Sequence, residues 1–181
     1  WVGVAARLKS AGMTSQQVQA VWIKQALAGP VRYGEFPGQV RTLEHALQTI
    51  IAQANSRFPK LRIVFLSSRI YGGYATNRLN PEPYAYESAF SVQRIIARQM
   101  NGDRDLNADA ENGAVRAPVL VWGPYLWADG EAKRRTDGLV WQRADFGDDG
   151  THPSSKGRRK VADQLLDFFT KNEFGKEVFL R

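Results

Sequence analysis

The segment Asp149-Gly150-Thr151-His152-Pro153-Ser154 is the part of this chain best suited to chemistry. A neutral imidazole takes a proton from a hydroxyl only through a ring nitrogen left free to accept. A carboxylate holding the other ring N–H fixes that tautomer and stabilises the imidazolium that forms. An Asp three residues before a His reaches it if the chain turns between them, and Gly150 eases the turn. Pro153 suits the start of a helix, and Ser154 or Ser155 suits its cap. The bare pattern D-x-x-H also fits a surface His in an ordinary helix-start turn. Its place favours the chemical reading, because it closes a series of apolar runs and precedes an amphipathic segment.

Other candidates gather where apolar runs end. Ser67-Ser68-Arg69-Ile70-Tyr71-Gly72-Gly73-Tyr74 follows the second such run. Arg69 suits a carboxylate or sugar hydroxyls, and Tyr71 and Tyr74 suit stacking on a sugar ring. The plainer reading is a glycine turn with half-buried tyrosines. Ser68 stands at a strand end, but the strand–turn–helix elbow that exposes a nucleophile is lacking. Tyr125 and Trp127, after the third run, suit an acyl or sugar pocket, or simple packing. Glu87, near a helix start, is favourable to the helix dipole and is a candidate contact to the Arg69 loop. His45 lies opposite its helix's apolar stripe and reads as a surface residue. With two histidines and no cluster at metal-ligand spacing, no metal is expected. No phosphate-binding or dinucleotide glycine fingerprint occurs, so no cofactor is expected either.

The elements that must position these residues follow from periodicity. Residues 18–23, 61–66 and 118–122 are short apolar runs with β-branched or aromatic character. The last two are nearly continuous, as in strands covered on both faces of a parallel sheet. Helical spacing appears at 2–10, 41–57, 84–100 and 154–169. The alternation indicates one α/β domain over 1–181 with right-handed crossovers. Loops at 26–40, 70–83 and 123–153 fall where an open α/β sheet carries its site.

Asp149-Gly150-Thr151-His152-Pro153, with Gly157 and the helix through Phe169, resembles the last sequence block of SGNH/GDSL-type serine ester hydrolases. The resemblance implies a three-layer α/β/α flavodoxin-like parallel sheet and a Ser-Asp-His triad, with His152 as general base and Asp149 as its orienting acid. Two departures stand out. The family's G-D-S nucleophile block does not occur, and its glycine block is not recognisable. Where the family's G-x-N-D block supplies an oxyanion donor, this chain reads Trp22-Ile23-Lys24-Gln25-Ala26. That makes Lys24 and Gln25 the oxyanion candidates, although Lys24 also fits a solvated cation at a strand end. In the family order 2-1-3-4-5, the three runs would be the last three strands, and the run 18–23 would expose an apolar edge. The chain begins at Trp1 without Met. The expectation is therefore a nucleophile upstream of Trp1, on an N-terminal segment or a companion chain.

Bulk properties narrow the classes. Of the 181 residues, 43% are hydrophobic and 24% charged, which suits a packed globular core. The absence of cysteine removes disulfides, thiolate catalysis and cysteine metal sites from this sequence. The net charge of +7 is spread among acidic residues, so a nucleic-acid partner is not expected. No apolar run is long enough to span a bilayer. The reading is hydrolysis of a carboxylic ester through an acyl-serine, with a small-molecule or carbohydrate acetyl ester as substrate. A non-catalytic carbohydrate-binding or scaffold protein on the same fold is the alternative. A secreted or periplasmic location is slightly favoured.

Overall fold

The computed structural model describes residues 1–180. Three parallel strands, β1 (Ala20–Lys24), β2 (Ile63–Ser67) and β3 (Val119–Trp122), form a sheet in the order β1-β2-β3. Helices flank it: α1 (Val2–Ser10), α2 (Gly38–Arg57), α3 (Tyr84–Met100), α4 (Ser155–Lys171) and α5 (Glu173–Phe179). The element order matches the sequence reading. The strands start later than their apolar runs, β1 and β2 by two residues and β3 by one. Val18 precedes β1, and Leu61 closes a turn by donating its N–H to the Phe58 carbonyl, so pairing begins at Ala20 with Ile63. Beyond Lys171 the chain continues as α5. Asn172 starts it by accepting the N–H groups of Phe174 and Gly175 at 3.0 and 3.1 Å.

Side chains alternate across β2, and this distributes the helices. Val64 and Leu66 join Leu43, Leu47 and Ile51 of α2 and Val92 and Ile95 of α3 in one buried cluster. Each fully buried Leu or Ile contributes about 1.5–3 kcal/mol there. Phe65 points the other way, edge-on to Phe168 and Phe169 of α4 at 5.7 and 5.1 Å. The two faces are unequally covered. α2 and α3 are stitched together by Glu44, which pairs with Arg94 at 2.6 Å and Arg98 at 2.9 Å. On α4 the apolar stripe Val161, Leu165, Phe168, Phe169 is only half-buried, and Gly157 is that helix's one buried residue.

The two edges of the sheet also differ. The outward N–H of Leu120 on β3 donates to Gln99 Oε1 at 2.7 Å, and Gln99 Nε2 donates to the Pro118 carbonyl at 3.0 Å. On β1, the Gln19 carbonyl accepts from Arg62, so Ala20, Trp22 and Lys24 turn their peptide groups away from β2. Among the described residues no hydrogen bond from another element reaches those groups. No helix among the described residues is long and apolar enough to cross a membrane.

Candidate active site

The acid–base segment is a tight loop closed at its base. The Gly147 N–H donates to the His152 carbonyl at 2.9 Å, the Ser154 N–H donates to the Asp145 carbonyl at 2.9 Å, and Phe146 bridges Pro153. Ser154 then caps α4, its hydroxyl accepting from the Gly157 N–H at 3.3 Å. Gly157 allows the close approach, since a Cβ there would lie 2.0 Å from the Asp145 carbonyl oxygen.

Inside the loop, Asp149 turns back on itself. Its Oδ1 accepts the N–H groups of Thr151 at 2.9 Å and His152 at 3.0 Å. Its Oδ2 lies 2.6 Å from Nδ1 of His152. The two backbone N–H groups and the His152 ring hold the Asp149 carboxyl down to about 2. An ionised carboxylate only accepts, so Nδ1 carries the proton and donates it. In the neutral ring Nε2 is then the free acceptor, on a side chain that is 70% exposed. This is the tautomer a general base requires.

The loop after β2 fixes this loop from behind. Thr76 donates through its N–H and Oγ1 to the Asp149 carbonyl at 3.1 and 3.2 Å. Arg69 Nη2 donates to the Thr151 carbonyl at 3.2 Å. Gly150 is the contact point: its φ is +61°, and an added Cβ would lie 1.7 Å from the Tyr74 carbonyl oxygen. Gly150→Ala combines left-handed strain with a backbone collision, and we expect a loss of about 2–4 kcal/mol. Chemical denaturation checks it, and an unchanged midpoint would refute the packing described.

His152, Lys24, Arg69, Trp22, Leu126 and Arg158 share a cavity of about 230 Å³. The structure thus brings together residues from the ends of β1 and β2 and from α4. Burial, and secondarily the Arg69 guanidinium, lower the Lys24 amine from 10.5 to about 8. A base whose folded pKa is depressed costs stability below that value, and the cost fades as pH rises toward its unfolded pKa. Lys24→Met should therefore stabilise the fold at pH 7 by about 1–2 kcal/mol, after discounting for solvent screening. It should also remove a gain in stability between about pH 8 and 10.5. Thermal unfolding across that range tests both, and a destabilised variant at pH 7 would contradict them.

Comparison with protein-family models, curated proteins and solved structures found no match for the chain.

The remaining candidates lie elsewhere. Gln25 is exposed just past β1 and does not line the cavity. Tyr71 and Tyr74 pack edge-on at 5.3 Å, and Tyr74 donates its hydroxyl to the Trp141 carbonyl at 3.2 Å. They back the acid–base loop and do not border the cavity. Tyr125 lines a separate groove with Tyr86, Phe90 and Trp122, its ring facing the Arg134 guanidinium at 5.6 Å. Ser67 accepts from Trp22 Nε1 at 2.9 Å and donates to the Pro124 carbonyl at 2.7 Å, while Ser68 is 1% exposed. His45 is exposed on α2. Among the described residues no group of acids and histidines could hold a metal ion.

One expectation needs correction. Glu87 does not serve the Arg69 loop; it accepts from Gln39 of α2 at 3.1 Å. The carboxylate that holds this region is Glu82. Its Oε1 accepts the Gly72 N–H at 2.8 Å and Trp127 Nε1 at 2.9 Å, and its Oε2 accepts the Tyr86 N–H at 2.9 Å. An acid between two prolines just before a helix was the available signal.

Proposed function

We propose that this chain carries the acid–base half of an SGNH/GDSL-type serine ester hydrolase on a three-layer, flavodoxin-like fold. In this reading β1, β2 and β3 are the third to fifth strands. The 2.6 Å contact between His152 Nδ1 and Asp149 Oδ2 carries it, because in the neutral ring it makes Nε2 the acceptor, on the side open to solvent. His152 takes the proton of a serine hydroxyl as the oxygen attacks the ester carbonyl. It then returns that proton to the leaving alcohol, and a water repeats the cycle on the acyl-serine. Lys24 donates to the carbonyl oxygen as negative charge develops on it.

Among the described residues no serine lines the cavity that holds His152, and in this reading the nucleophile comes from chain outside this sequence. The unpaired edge of β1 supports this placement. A strand added there would end next to Lys24, at the mouth of the same cavity. A small ester is the substrate that suits a cavity of about 230 Å³.

The test is an organophosphonate serine probe applied to the intact natural protein, with the label mapped by mass spectrometry. One labelled serine, lost in His152→Ala together with p-nitrophenyl acetate hydrolysis, is expected. No label, with hydrolysis unchanged in His152→Ala, would end the hydrolase reading and leave a non-catalytic carbohydrate-binding protein on this fold.

A further inference from the structure

The cavity beside His152 contains more positive charge than ester hydrolysis needs. Lys24 enters from the end of β1, Arg69 from the loop after β2, and Arg158 from the first turns of α4. Among the described residues none of the three forms an ion pair with a carboxylate, unlike His152 itself.

The acids at hand are already committed. Both oxygens of Asp149 are used by Thr151 and His152, and both oxygens of Glu82 by Gly72, Trp127 and Tyr86. Arg69 is only 7% exposed, it has one hydrogen-bond acceptor in the Thr151 carbonyl, and its Nε–H meets none. Glu82 and Asp149 favour its charge from a distance, but no carboxylate touches it, and a buried cation with an open N–H donor suits a place where a ligand supplies the contact. The developing oxyanion brings a single negative charge, and only transiently.

We infer that this cavity selects a substrate carrying a carboxylate in addition to its ester, with Lys24, Arg69 and Arg158 as its counter-charge. For the word substrate, the inference rests on the hydrolase reading; the anion site itself does not. A carboxylate suits this place better than inorganic phosphate. Trp22 and Leu126 form apolar walls beside the cations, and a singly charged group on a carbon skeleton loses less hydration against them. The volume of about 230 Å³ limits the occupant to a small acid or one acidic residue of a larger chain.

The electrostatics agree. Lys24 is depressed to about 8 by burial and by Arg69, while Glu82 and Asp149 act on Arg69 against its own burial. A bound carboxylate favours the charged amine, so its affinity should fall as pH rises above about 8.

Proton NMR on the intact chain tests this without any catalytic step. The sequence has two histidines, so His152 reports the cavity and His45, on α2, is the internal control. Monomethyl succinate should shift the His152 ring signals saturably and leave His45 unmoved, whereas uncharged dimethyl succinate should not. Lys24→Met and Arg158→Gln should each weaken the acid's binding about tenfold. In Lys24→Met the loss of affinity above pH 8 should also disappear. Equal binding of the two esters, unaltered affinity in both variants, no shift with either ligand, or tighter binding of inorganic phosphate would each overturn the inference. The organophosphonate experiment fails separately. Acid binding without serine labelling overturns the hydrolase alone, and labelling without acid preference overturns this inference alone.

Discussion

On the hydrolase we propose, replacing Asp149 by Asn should lower ester hydrolysis about 10⁴-fold while leaving the chain folded. The Asn carbonyl can still accept the N–H groups of Thr151 and His152 that Oδ1 accepts now. At the other position, a carboxylate oxygen becomes an amide NH₂, which must donate to Nδ1 of His152. The ring proton then moves to Nε2, the atom that has to accept from serine. The site keeps its shape and loses its function as a base. The measurement is kcat/KM for p-nitrophenyl acetate with the intact natural protein, alongside the thermal midpoint. Full activity in a folded Asp149→Asn protein would show that His152 is not the base. Asp149 itself stays ionised down to about pH 2, so an acid limb in the rate profile above that range belongs to another group.

The second large effect is expected at a residue with no chemistry of its own. Asp145 is 0% exposed, and its Oδ2 accepts the Gln142 N–H at 2.9 Å and the ammonium of Lys160. Lys156 stands 3.6 Å from Oδ1. Burial alone would push this carboxyl up, but Lys160 and the Gln142 N–H outweigh it and hold it below the usual carboxylate range. Asp145→Ala leaves the Lys160 charge against the Trp141 ring without its partner, which costs about 3–5 kcal/mol. For a chain of this size that lowers the thermal midpoint by roughly 10 °C. The pH sign follows from the depressed folded pKa. The contribution is present above the unfolded carboxylate pKa and is lost as pH falls through the folded one. A scan of Asp145→Ala at neutral pH with no change in midpoint would show that the pair is not structural.

Residues in one segment were legible in the sequence, and residues brought together by the fold were not. Asp149 and His152 are three apart and the turn between them is local, so residue types and Gly150 suffice to propose the contact. β2 was legible because burial along nearly its whole length demands a continuous apolar run; β3 carries the same run with Val119 exposed and Val121 and Trp122 half-buried. Asp145 was not, because its partner Lys160 lies one loop and a helix turn away and a lone Asp reads as surface. Glu82 escaped for the same reason: Trp127, which it holds, is 45 residues distant. Lys24 and Arg69 meet only because β1 and β2 are neighbours that end at the same height, Lys24 opposite Ser67. The tyrosines could not be apportioned between pocket and packing from sequence, since both uses require an aromatic ring beside a glycine turn.

Gln99 gives the sheet a direction of growth. Its primary amide stands in for an adjoining strand, offering an acceptor to Leu120 and a donor to the Pro118 carbonyl just before β3. That side is thereby terminated by a counterfeit strand built from a single side chain. On the far side, Ala20, Trp22 and Lys24 remain a template with fixed spacing and polarity. A strand added to this sheet would therefore pair along β1, the flank whose end at Lys24 borders the cavity of His152.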